Sequence, residues 1–407
     1  MNHLLSLLLV LALIPGGILI GFWTAGLIRL RRELRSTQSL EQGLRAADAN
    51  PPAERVCVIV PAHNEAGVIA ALIQTLRAQT YPHLSVVLAL DRCTDATAAT
   101  ARAAIAGDPR FGIFEIDHCP EDWAGKVHAI WSTVTTHTLA SGADLLLFVD
   151  ADAQLHPEVV RASVGMLRLR SLDYLSLWSR MIVRNWFDAI VQPQCAMELA
   201  YNYPLDRVNS AERRRPFANG QFILFRREPY FRIGGHQAVN EAVLEDMALA
   251  RLAAEHGLKA GIYLGEEMLR VRMYDDWGRF REGWKRLFID CAKRKVRRLR
   301  RAMWRMSMLY AFCPLASLAA LVIGPMDVHS LPPWAILPIL GVNAVALVLW
   351  LFMMFVIYRL GKFPLWAAPL APLGALIASR LVARAARDLA RGKPMQWGGR
   401  PYVLEAR

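Results

Sequence analysis

The sequence predicts an α/β domain with a mainly parallel sheet, flanked by membrane-spanning helices on its N-terminal and C-terminal sides. Three observations lead to this class. Residues 4–28 form an apolar run without a charge, residues 56–149 alternate short apolar segments with helical ones, and three more uncharged runs follow residue 305. Apolar residues make up 54% of the chain, and the uncharged runs account for this high share.

The first run predicts a transmembrane anchor over residues 1–30. About 20 apolar residues span a bilayer, so residues 4–28 suffice with some tilt. A cleaved signal peptide is the alternative, but it has a shorter apolar segment and a small-residue cleavage site. No such site is obvious before the arginines that begin at Arg29. The polar stretch 31–54, which ends near two prolines, predicts a linker.

The C-terminal third predicts a membrane region over residues 303–384 and a cytoplasmic tail over 385–407. Its uncharged runs cover residues 306–326, 331–358 and 363–379. The first two are long enough to span, and the short segment between them makes them a hairpin. The third is shorter and contains three prolines, so it either spans the membrane or re-enters it from one side.

The distribution of charge predicts the orientation and the kind of partner. Lysines and arginines border the apolar runs on the side of the central region, so the positive-inside rule makes that region and the C-terminus cytoplasmic. The net charge of +13 is also typical of proteins that bind nucleic acids. Its densest cluster, residues 293–301, lies directly before a spanning run, where it attracts anionic lipid headgroups. We therefore expect an anionic lipid bilayer as a partner, and no nucleic acid.

Between the anchors, residues 55–300 are predicted to form the α/β domain. Apolar strands cover residues 56–60, 84–90, 112–116 and 145–149, and helices cover 66–79, 95–106 and 125–139. Regular alternation with short loops implies right-handed crossovers and a parallel sheet, whose ligands bind outside the carboxyl ends of the strands. The chain contains no glycine motif of the P-loop or dinucleotide type, which counts against those two classes.

Carboxylates follow the ends of three predicted strands. Glu65 follows the first strand, Asp91 the second, and Asp150 and Asp152 the fourth. A buried strand that ends in two carboxylates, one residue apart, makes a site for a hard divalent cation and for the phosphates that the cation carries. An Asp-x-Asp pair alone is common by chance in solvated turns. The evidence for a cation site therefore comes from the convergence of three strand ends.

Further along the chain the pattern changes to longer helices. Residues 185–203 are amphipathic, and they either lie on the membrane face or pack in the core. A short strand is predicted over 222–225 and a helix over 244–256, which opens with Glu245 and Asp246. Acidic residues in a first turn often only complement the helix dipole.

Taken in order, these segments resemble a family 2 glycosyltransferase with the GT-A fold, over roughly residues 56–286. The resemblance rests on seven short pieces: Val60-Pro61-Ala62-His63-Asn64-Glu65, Asp91-Arg92-Cys93-Thr94-Asp95-Ala96-Thr97, Trp123-Ala124-Gly125-Lys126, Asp150-Ala151-Asp152, Asn219-Gly220-Gln221, Gly234-Gly235-His236 and Glu245-Asp246. Each piece is weak singly, but seven in the family's order are not expected by chance. The resemblance implies a Rossmann-like, mainly parallel GT-A domain in the cytoplasm and a nucleotide-sugar substrate.

Within that family the chain is most similar to membrane-bound transferases that glycosylate lipids, such as the hopanoid-associated, carotenoid and ceramide branches. The narrower likeness rests on Trp123-Ala124-Gly125-Lys126, Arg272-Met273-Tyr274, Gly283-Trp284-Lys285 and residues 396–402. The Gln-x-x-Arg-Trp motif of processive polysaccharide synthases is degenerate at residues 280–284, which counts against polymer synthesis.

The resemblance also implies a role for each candidate residue. It assigns donor binding to Glu65, Asp91, Lys126 and Asp150, metal binding to Asp152, base catalysis to Asp246, and the acceptor side or a lid to Glu245, Arg272 and Trp284. The expected metal is Mg²⁺ or Mn²⁺, which would stabilise the negative charge that builds on a diphosphate leaving group. The helix dipole lowers the pKa of a carboxylate at a helix N-terminus, so Asp246 needs burial to act as a base.

These residues predict an inverting, metal-dependent glycosyltransferase. It would move a single sugar from a nucleoside-diphosphate sugar, with a UDP-sugar as the first expectation, to the hydroxyl of a membrane lipid. We expect the chain to cross a cell membrane of the bacterial inner-membrane type several times. A processive polysaccharide synthase of the same fold and a catalytically inactive membrane scaffold are the alternatives. Asp91, Asp150, Asp152 and Asp246 are all present, which argues against the scaffold.

Overall fold

A computed structural model of the chain describes residues 2–36, 39–210, 215–327, 331–397, 400–402 and 404–406. The predicted class is confirmed, because a mainly parallel sheet with flanking helices lies between apolar helices near both ends of the chain. Its elements follow the sequence pattern, since buried parallel strands are continuous apolar runs and surface helices are amphipathic.

The described residues contain twelve strands. They are β1 (Val56–Ala62), β2 (Leu84–Asp91), β3 (Phe111–Ile116), β4 (Leu145–Val149), β5 (Ala153–Leu155), β6 (Tyr174–Trp178), β7 (Arg180–Met181), β8 (Phe222–Arg226), β9 (Ala260–Leu264), β10 (Leu269–Val271), β11 (Met395–Trp397) and β12 (Arg400–Tyr402).

Eighteen α-helices lie in the same described residues. They are α1 (Asn2–Leu11), α2 (Leu13–Ser36), α3 (Glu41–Ala49), α4 (Ile69–Arg77), α5 (Thr97–Ile105), α6 (Gly125–Thr136), α7 (Thr138–Ser141), α8 (Val159–Leu169), α9 (Trp186–Ile190), α10 (Gln192–Asn202), α11 (Leu205–Val208), α12 (Arg227–Arg232), α13 (Glu245–Glu255), α14 (Trp277–Cys291), α15 (Val296–Ser307), α16 (Cys313–Ile323), α17 (Pro333–Leu360) and α18 (Ala371–Ala390).

The central sheet has seven strands in the order β3-β2-β1-β4-β8-β6-β9. β1 to β4 run parallel, β8 runs antiparallel to both of its neighbours, and β9 is parallel to β6. β1 and β4 are buried along their whole length, as expected for central strands with helices on both faces. The carboxyl ends of β2, β1 and β4 therefore share one edge, and the candidate carboxylates lie at or just after these ends.

A second sheet, of order β5-β10-β7, begins directly after the fourth strand end. Its first residue, Ala153, pairs with Val271 of β10 in antiparallel register. Because Asp152 precedes Ala153 and Arg272 follows Val271, the pairing brings these two candidate residues close together in space.

The stretch 31–54, predicted as a linker, contains the end of α2 and the helix α3, which packs against α8. Gly43 and Gly165 lie at the crossing of α3 and α8, and a Cβ on Gly43 would lie 2.1 Å from the carbonyl oxygen of Ala162. Ala47 is buried at the same crossing. The linker prediction is wrong for this helix, which the glycine contact and an apolar face of Leu40, Leu44 and Ala47 hold on the domain.

The amphipathic stretch 185–203 forms two helices, α9 and α10, which join at Val191. The break comes just before Pro193, which has no N–H to donate and is favoured in a first helical turn. α18 lies so close that a Cβ on its Gly374 would be 2.0 Å from the carbonyl oxygen of Ile190. This contact favours the core-packed alternative over a position on the membrane face.

Among the described residues, four helical stretches are long and apolar enough to cross a membrane: Ser6–Arg35, Val296–Met326, Trp334–Leu360 and Leu365–Ala390. The last contains residues 365–379 of the short third run, and with the residues up to Ala390 it is long enough to span by length and composition. The second begins at Val296, before the predicted start of the membrane region at residue 303. α18 continues to Ala390, past the predicted start of the tail at residue 385.

The apolar helices and the α/β domain share one hydrophobic core, in which α14, α15, α17 and α18 meet. Polar contacts also cross this core. Gln194 Nε2 donates to the hydroxyl of Tyr358 over 3.3 Å, and Lys285 Nζ lies 3.3 Å from Asp388 Oδ2. The domain is therefore packed onto the helices rather than tethered to them.

The C-terminal hairpin of β11 and β12 returns to the domain. Tyr402 packs against the shared core, and Leu404 is buried in it. Tyr402 is also within electrostatic reach of Arg92, at the end of β2. The predicted motif 396–402 lies partly outside the described residues, at positions 398–399.

Candidate active site

Three separate segments of the chain meet around Gly220, in the turn before β8. A Cβ on Gly220 would lie 3.1 Å from Asp246 Oδ2, 3.2 Å from Glu245 Oε1 and 3.3 Å from Lys126 Nζ. Lys126 lies in the first turn of α6, and the two acidic residues open α13. Because glycine has no side chain, position 220 leaves space for these three groups to meet.

Lys126 bridges two carboxylates that are far apart in the sequence. Its Nζ lies 2.6 Å from Asp150 Oδ1 and 2.5 Å from Glu245 Oε1. Burial lowers the pKa of Lys126, but the two carboxylates outweigh burial and raise this pKa above its ordinary value. Burial would raise the pKa of Glu245, yet the ion pair with Lys126 lowers it. Lys126 and Glu245 are therefore both charged at neutral pH.

Asp246 has the properties of a base near neutral pH. Its carboxylate accepts the backbone N–H of Gly220 over 2.8 Å and that of Met247 over 2.7 Å. Burial, followed by the neighbouring Glu245, outweighs these bonds and raises the pKa of Asp246 to about 7. The burial that a base at this helix position requires is therefore present, and such a carboxylate can accept a proton from a hydroxyl.

Asp152 fits a divalent cation. Its Oδ1 is buried and has no hydrogen-bond partner among the described residues. Burial, followed by the charges of Asp150 and Glu65, raises the pKa of Asp152 well above its ordinary value. A cation would give this oxygen a partner and would offset the repulsion between the carboxylates.

The protein supplies only part of the coordination shell that such a cation needs. In the part of the chain that the structure describes, no three His, Cys, Asp or Glu side chains form a group that could hold a metal ion. Mg²⁺ is usually held by one or two carboxylates together with substrate phosphates and water. The residues therefore fit a cation that arrives with a phosphorylated substrate.

Glu65 and Asp91, for which donor binding is a prediction, lie at the neighbouring strand ends. Burial, with Asp150 as the next cause, raises the pKa of Glu65 to about 7. Asp91 is buried and pairs with Arg92, whose Nη2 lies 2.6 Å from Asp91 Oδ2. A Cβ on Gly125 would lie 2.8 Å from the same oxygen, so the Gly-Lys dipeptide approaches this carboxylate closely.

Arg272 and Trp284, predicted for the acceptor side or a lid, have different surroundings. Arg272 Nη2 lies 2.7 Å from Asp275 Oδ1, just after β10. Trp284 is 3% exposed, and its indole N–H donates to Gln192 Oε1 over 3.2 Å. Trp284 is therefore part of the core between α14 and α10, a position that does not suit a lid.

Sequence reasoning missed Arg286 and the position of Tyr274. Arg286 of α14 is within electrostatic reach of Glu245 and Asp246, and burial lowers its pKa. Tyr274 lies against Gly283, where a Cβ would come within 2.1 Å of the tyrosine oxygen. Tyr274 lies in one of the segments that resemble the lipid-glycosylating branches, and Arg286 directly follows another. Their place in the sequence could therefore have indicated them.

Comparisons with known proteins identify a family. The family model described as "Glycosyltransferase like family 2" matches residues 51–306. A 4,4'-diaponeurosporenoate glycosyltransferase of Staphylococcus aureus is 28% identical over 250 residues, which cover 59% of this chain and 62% of the relative. The protein of the same name from another strain is 28% identical over 236 residues, which cover 56% and 59%. The match thus covers less than two thirds of the relatives' length.

One solved structure resembles the chain over nearly its whole length. It is a mannosyltransferase from Pyrobaculum calidifontis in complex with GDP-Man and Mn²⁺. The two chains are 19% identical with a TM-score of 0.52, over 94% of this chain and 98% of that one. At this level of identity the likeness shows the fold.

Proposed function

The chain belongs to family 2 of the glycosyltransferases, and from this membership we propose that it transfers one sugar from a nucleoside-diphosphate sugar to a membrane lipid. The transfer inverts the configuration at the anomeric carbon and depends on Mg²⁺ or Mn²⁺. In this proposal the catalytic domain faces the cytoplasm, and the four apolar stretches hold it at a membrane of the bacterial inner-membrane type.

One observation carries the proposal: the convergence of an ionised lysine, a half-buried carboxylate with a pKa near 7 and a buried carboxylate oxygen without a partner among the described residues. Lys126, Asp246 and Asp152 supply these three groups. Sugar transfer from a nucleoside diphosphate needs a held donor, a stabilised leaving group and a proton acceptor, and these groups fit those needs.

Asp152 would hold the cation, with Asp150 beside it. When bound, the cation supplies a Lewis acid for the negative charge of the departing diphosphate. Glu65 and Asp91 would bind the nucleoside, because carboxylates accept hydrogen bonds from ribose hydroxyls or from base N–H groups. Lys126 would orient Asp150 through their ion pair, and its charge opposes the burial that raises the pKa of Asp150.

Asp246 would act as the base. As the acceptor oxygen bonds to the anomeric carbon, its proton passes to Asp246, and the bond from that carbon to the diphosphate oxygen breaks with its electron pair on the diphosphate. Attack from the face opposite the leaving group inverts the anomeric carbon. Gly220 N–H and Met247 N–H hold the carboxylate in place for this transfer.

The lipid nature of the acceptor is supported by the apolar helices packed onto the domain and by the relatives, whose name gives 4,4'-diaponeurosporenoate as the molecule they glycosylate. The family resemblance makes a UDP-sugar the first donor to test. The GDP-Man of the P. calidifontis structure makes a GDP-sugar the second.

To test the proposal, membranes that contain the full chain are incubated with Mn²⁺ and radiolabelled UDP- or GDP-sugars, and the lipids are then extracted. Label in the organic phase that is lost in Asp246→Asn supports it. Label in an insoluble polymer would identify a processive synthase instead, and no label with any donor would identify an inactive scaffold.

A further inference from the structure

Ser176 is a polar residue in the middle of the otherwise apolar strand β6. Its side chain is fully buried, at 0% exposure. Its backbone is paired on both sides, with Ile223 of β8 and with Ile262 of β9, so its position in the sheet is fixed. A buried hydroxyl costs free energy unless it is hydrogen-bonded. The partners of this hydroxyl therefore indicate its role.

Both partners of the Ser176 hydroxyl belong to Asn219, in the turn before β8. The hydroxyl oxygen accepts the backbone N–H of Asn219 over 2.9 Å, and the hydroxyl donates to the carbonyl oxygen of Asn219 over 3.3 Å. The same carbonyl oxygen accepts the N–H of Phe222 over 3.1 Å, which closes the turn. Two donors thus hold this carbonyl group in one direction.

The carbonyl of Asn219 and the N–H of Gly220 belong to one peptide unit. This unit is trans and therefore planar, so its N–H points away from its carbonyl oxygen in the same plane. The carbonyl faces Ser176, and the N–H donates to Asp246 Oδ2 over 2.8 Å. Fixing the carbonyl therefore also fixes the N–H that holds Asp246. Hydrogen bonds to the carbonyl also strengthen this N–H as a donor, because linked hydrogen bonds polarise one another.

The side chain of Asn219 ties the same turn to the end of β6. Its Nδ2 donates to the carbonyl oxygen of Leu177 over 2.8 Å and lies 3.1 Å from Gln221 Oε1. Gln221 Oε1 also accepts the hydroxyl of Ser179, and both of these residues are buried. Glycine has more backbone freedom than any other residue. Here, however, both neighbours of Gly220 are hydrogen-bonded to β6 or to the residue after it.

We propose that Ser176 and Asn219 are positioning residues, which aim the N–H of Gly220 at the carboxylate of Asp246. They act through the peptide unit that joins Asn219 to Gly220. This inference rests on the proposed role of Asp246 as the base. The N–H of Gly220 favours the charged carboxylate and so lowers the pKa of Asp246. Loss of its alignment should therefore raise that pKa.

A direct measurement of the Asp246 carboxylate tests the proposal. The metal-free full chain, in detergent, carries aspartate labelled with ¹³C at the side-chain carboxyl carbon, and the signal of Asp246 is identified by its absence in Asp246→Asn. In Ser176→Ala we expect the pKa of Asp246 to increase by about 1, the lower end of what the loss of one hydrogen bond to a charged group produces. Asn219→Ala should change it in the same direction. It decides the question if Ser176→Ala does not fold.

Neither substitution changes a charge near Asp246. Glu245 of the same helix, Lys126 of α6, and Arg286 and Cys291 of α14 are within electrostatic reach of its carboxylate, and all four stay in place. An increase in the pKa therefore reports the weakened hydrogen bond.

The matched controls lose the same kinds of hydrogen bond elsewhere. Ser85→Ala removes a strand hydroxyl that donates to the carbonyl oxygen of Val56 over 3.4 Å, and Asn209→Ala removes an amide that donates to the carbonyl oxygen of Ile262 over 2.8 Å. Both should leave the pKa of Asp246 at its wild-type value. An equal increase in a variant and its control, or a wild-type pKa in a folded Ser176→Ala, would overturn the proposal. The thermal midpoint shows which variants are folded.

The same variants link the hydrogen bond to the reaction. The acid limb of kcat/KM should move to higher pH by about 1 in Ser176→Ala and should stay in place in Ser85→Ala. The absence of sugar transfer in the wild type would contradict the proposed function. The ¹³C measurement needs no substrate, so it decides the positioning in either case.

Discussion

The ammonium group of Lys126 lies 2.5 Å from the carboxylate of Glu245. This contact joins the start of α6 to the start of α13, over more than a hundred residues of chain. The same ammonium lies 2.6 Å from Asp150, so one cation fixes both the end of β4 and the helix that carries the proposed base.

Replacing Lys126 by Gln should disable the site and destabilise the protein. The buried Glu245 and the half-buried Asp150 would lose the cation between them, and breaking a buried ion pair costs roughly 3–5 kcal/mol. We expect a loss near the lower end of that range because the lysine side chain remains 23% exposed. The initial rate of sugar transfer should fall about 100-fold. Lys259→Gln, at an exposed lysine, should change neither the rate nor the thermal midpoint.

Asp246→Asn should remove the proton acceptor while leaving its shape in place. We expect kcat to fall by about 100-fold to 10,000-fold, the usual contribution of a positioned general base. Binding of the nucleotide sugar, measured by calorimetry, should stay within a few-fold of the wild type. Glu255→Gln, at the exposed end of the same helix, is the matched control. An Asn variant with wild-type kcat would remove Asp246 from the mechanism.

The pH dependence of kcat/KM should show one acid limb near pH 7. The pKa of Asp246 is raised to about 7, so the carboxylate is protonated below that pH and cannot accept the acceptor's proton. The rate should rise with pH up to about 7 and then level off. Glu65 has a pKa raised to the same region, so Glu65→Gln decides between them. If the limb disappears in this variant, Glu65 and not Asp246 is the titrating group.

Divalent cations should stabilise the metal-free protein more at pH 8 than at pH 6. The pKa values of Asp152, Glu65 and Asp246 are all raised, so the folded chain holds protons that the unfolded chain releases near pH 4. The contribution of these three groups to the free energy of unfolding should therefore decrease as the pH rises from about 4 through 7. Above that range Mn²⁺ no longer competes with these protons, and its effect on the thermal midpoint should be largest.

Asp152→Asn should abolish most of this Mn²⁺ effect, because it removes the proposed ligand. Asp117→Asn, at an exposed carboxylate after β3, should leave the thermal shift by Mn²⁺ unchanged. If Asp152→Asn kept the full shift of the thermal midpoint by Mn²⁺, the cation would bind at other residues.

Gly43→Ala tests the packing of α3. The added methyl group would lie 2.1 Å from the carbonyl oxygen of Ala162, so α3 and α8 must move apart. Overpacking of this kind costs roughly 1–3 kcal/mol, which should lower the thermal midpoint. Gly67→Ala is the control, since an added Cβ there has no neighbour within 4 Å. Equal midpoints for the two variants would mean that α3 does not pack on α8.

The central strands could be predicted from the sequence because their apolar runs are continuous and local. β4 was predicted over 145–149, and it is Leu145–Val149 in the structure. α3 was not predicted, because its apolar face of Leu40, Leu44 and Ala47 is short and its close approach to α8 depends on Gly43 meeting the distant Gly165. The antiparallel β8 lies between β4 and β6, and nothing local in Phe222–Arg226 shows which strands it joins.

The strand-end carboxylates of the site could be predicted for the same reason, since parallel strands end at one edge. The Lys126 bridge and the approach of Arg286 could not, because they join residues that only the folded chain brings together. Trp284 was expected near the acceptor, but tryptophan suits a membrane surface and a core equally well. Its hydrogen bond to Gln192 shows that it belongs to the core.

The return of the C-terminal hairpin to the domain has a practical consequence for anyone who expresses this protein. Tyr402 lies near Arg92, the partner of Asp91 in the proposed nucleoside site, and Leu404 lines a cavity beside α13. A bulky label attached at Glu405, which directly follows Leu404, would lie close to both regions and would crowd them. A handle on the N-terminal side, removed by protease before assay, leaves that corner of the molecule undisturbed.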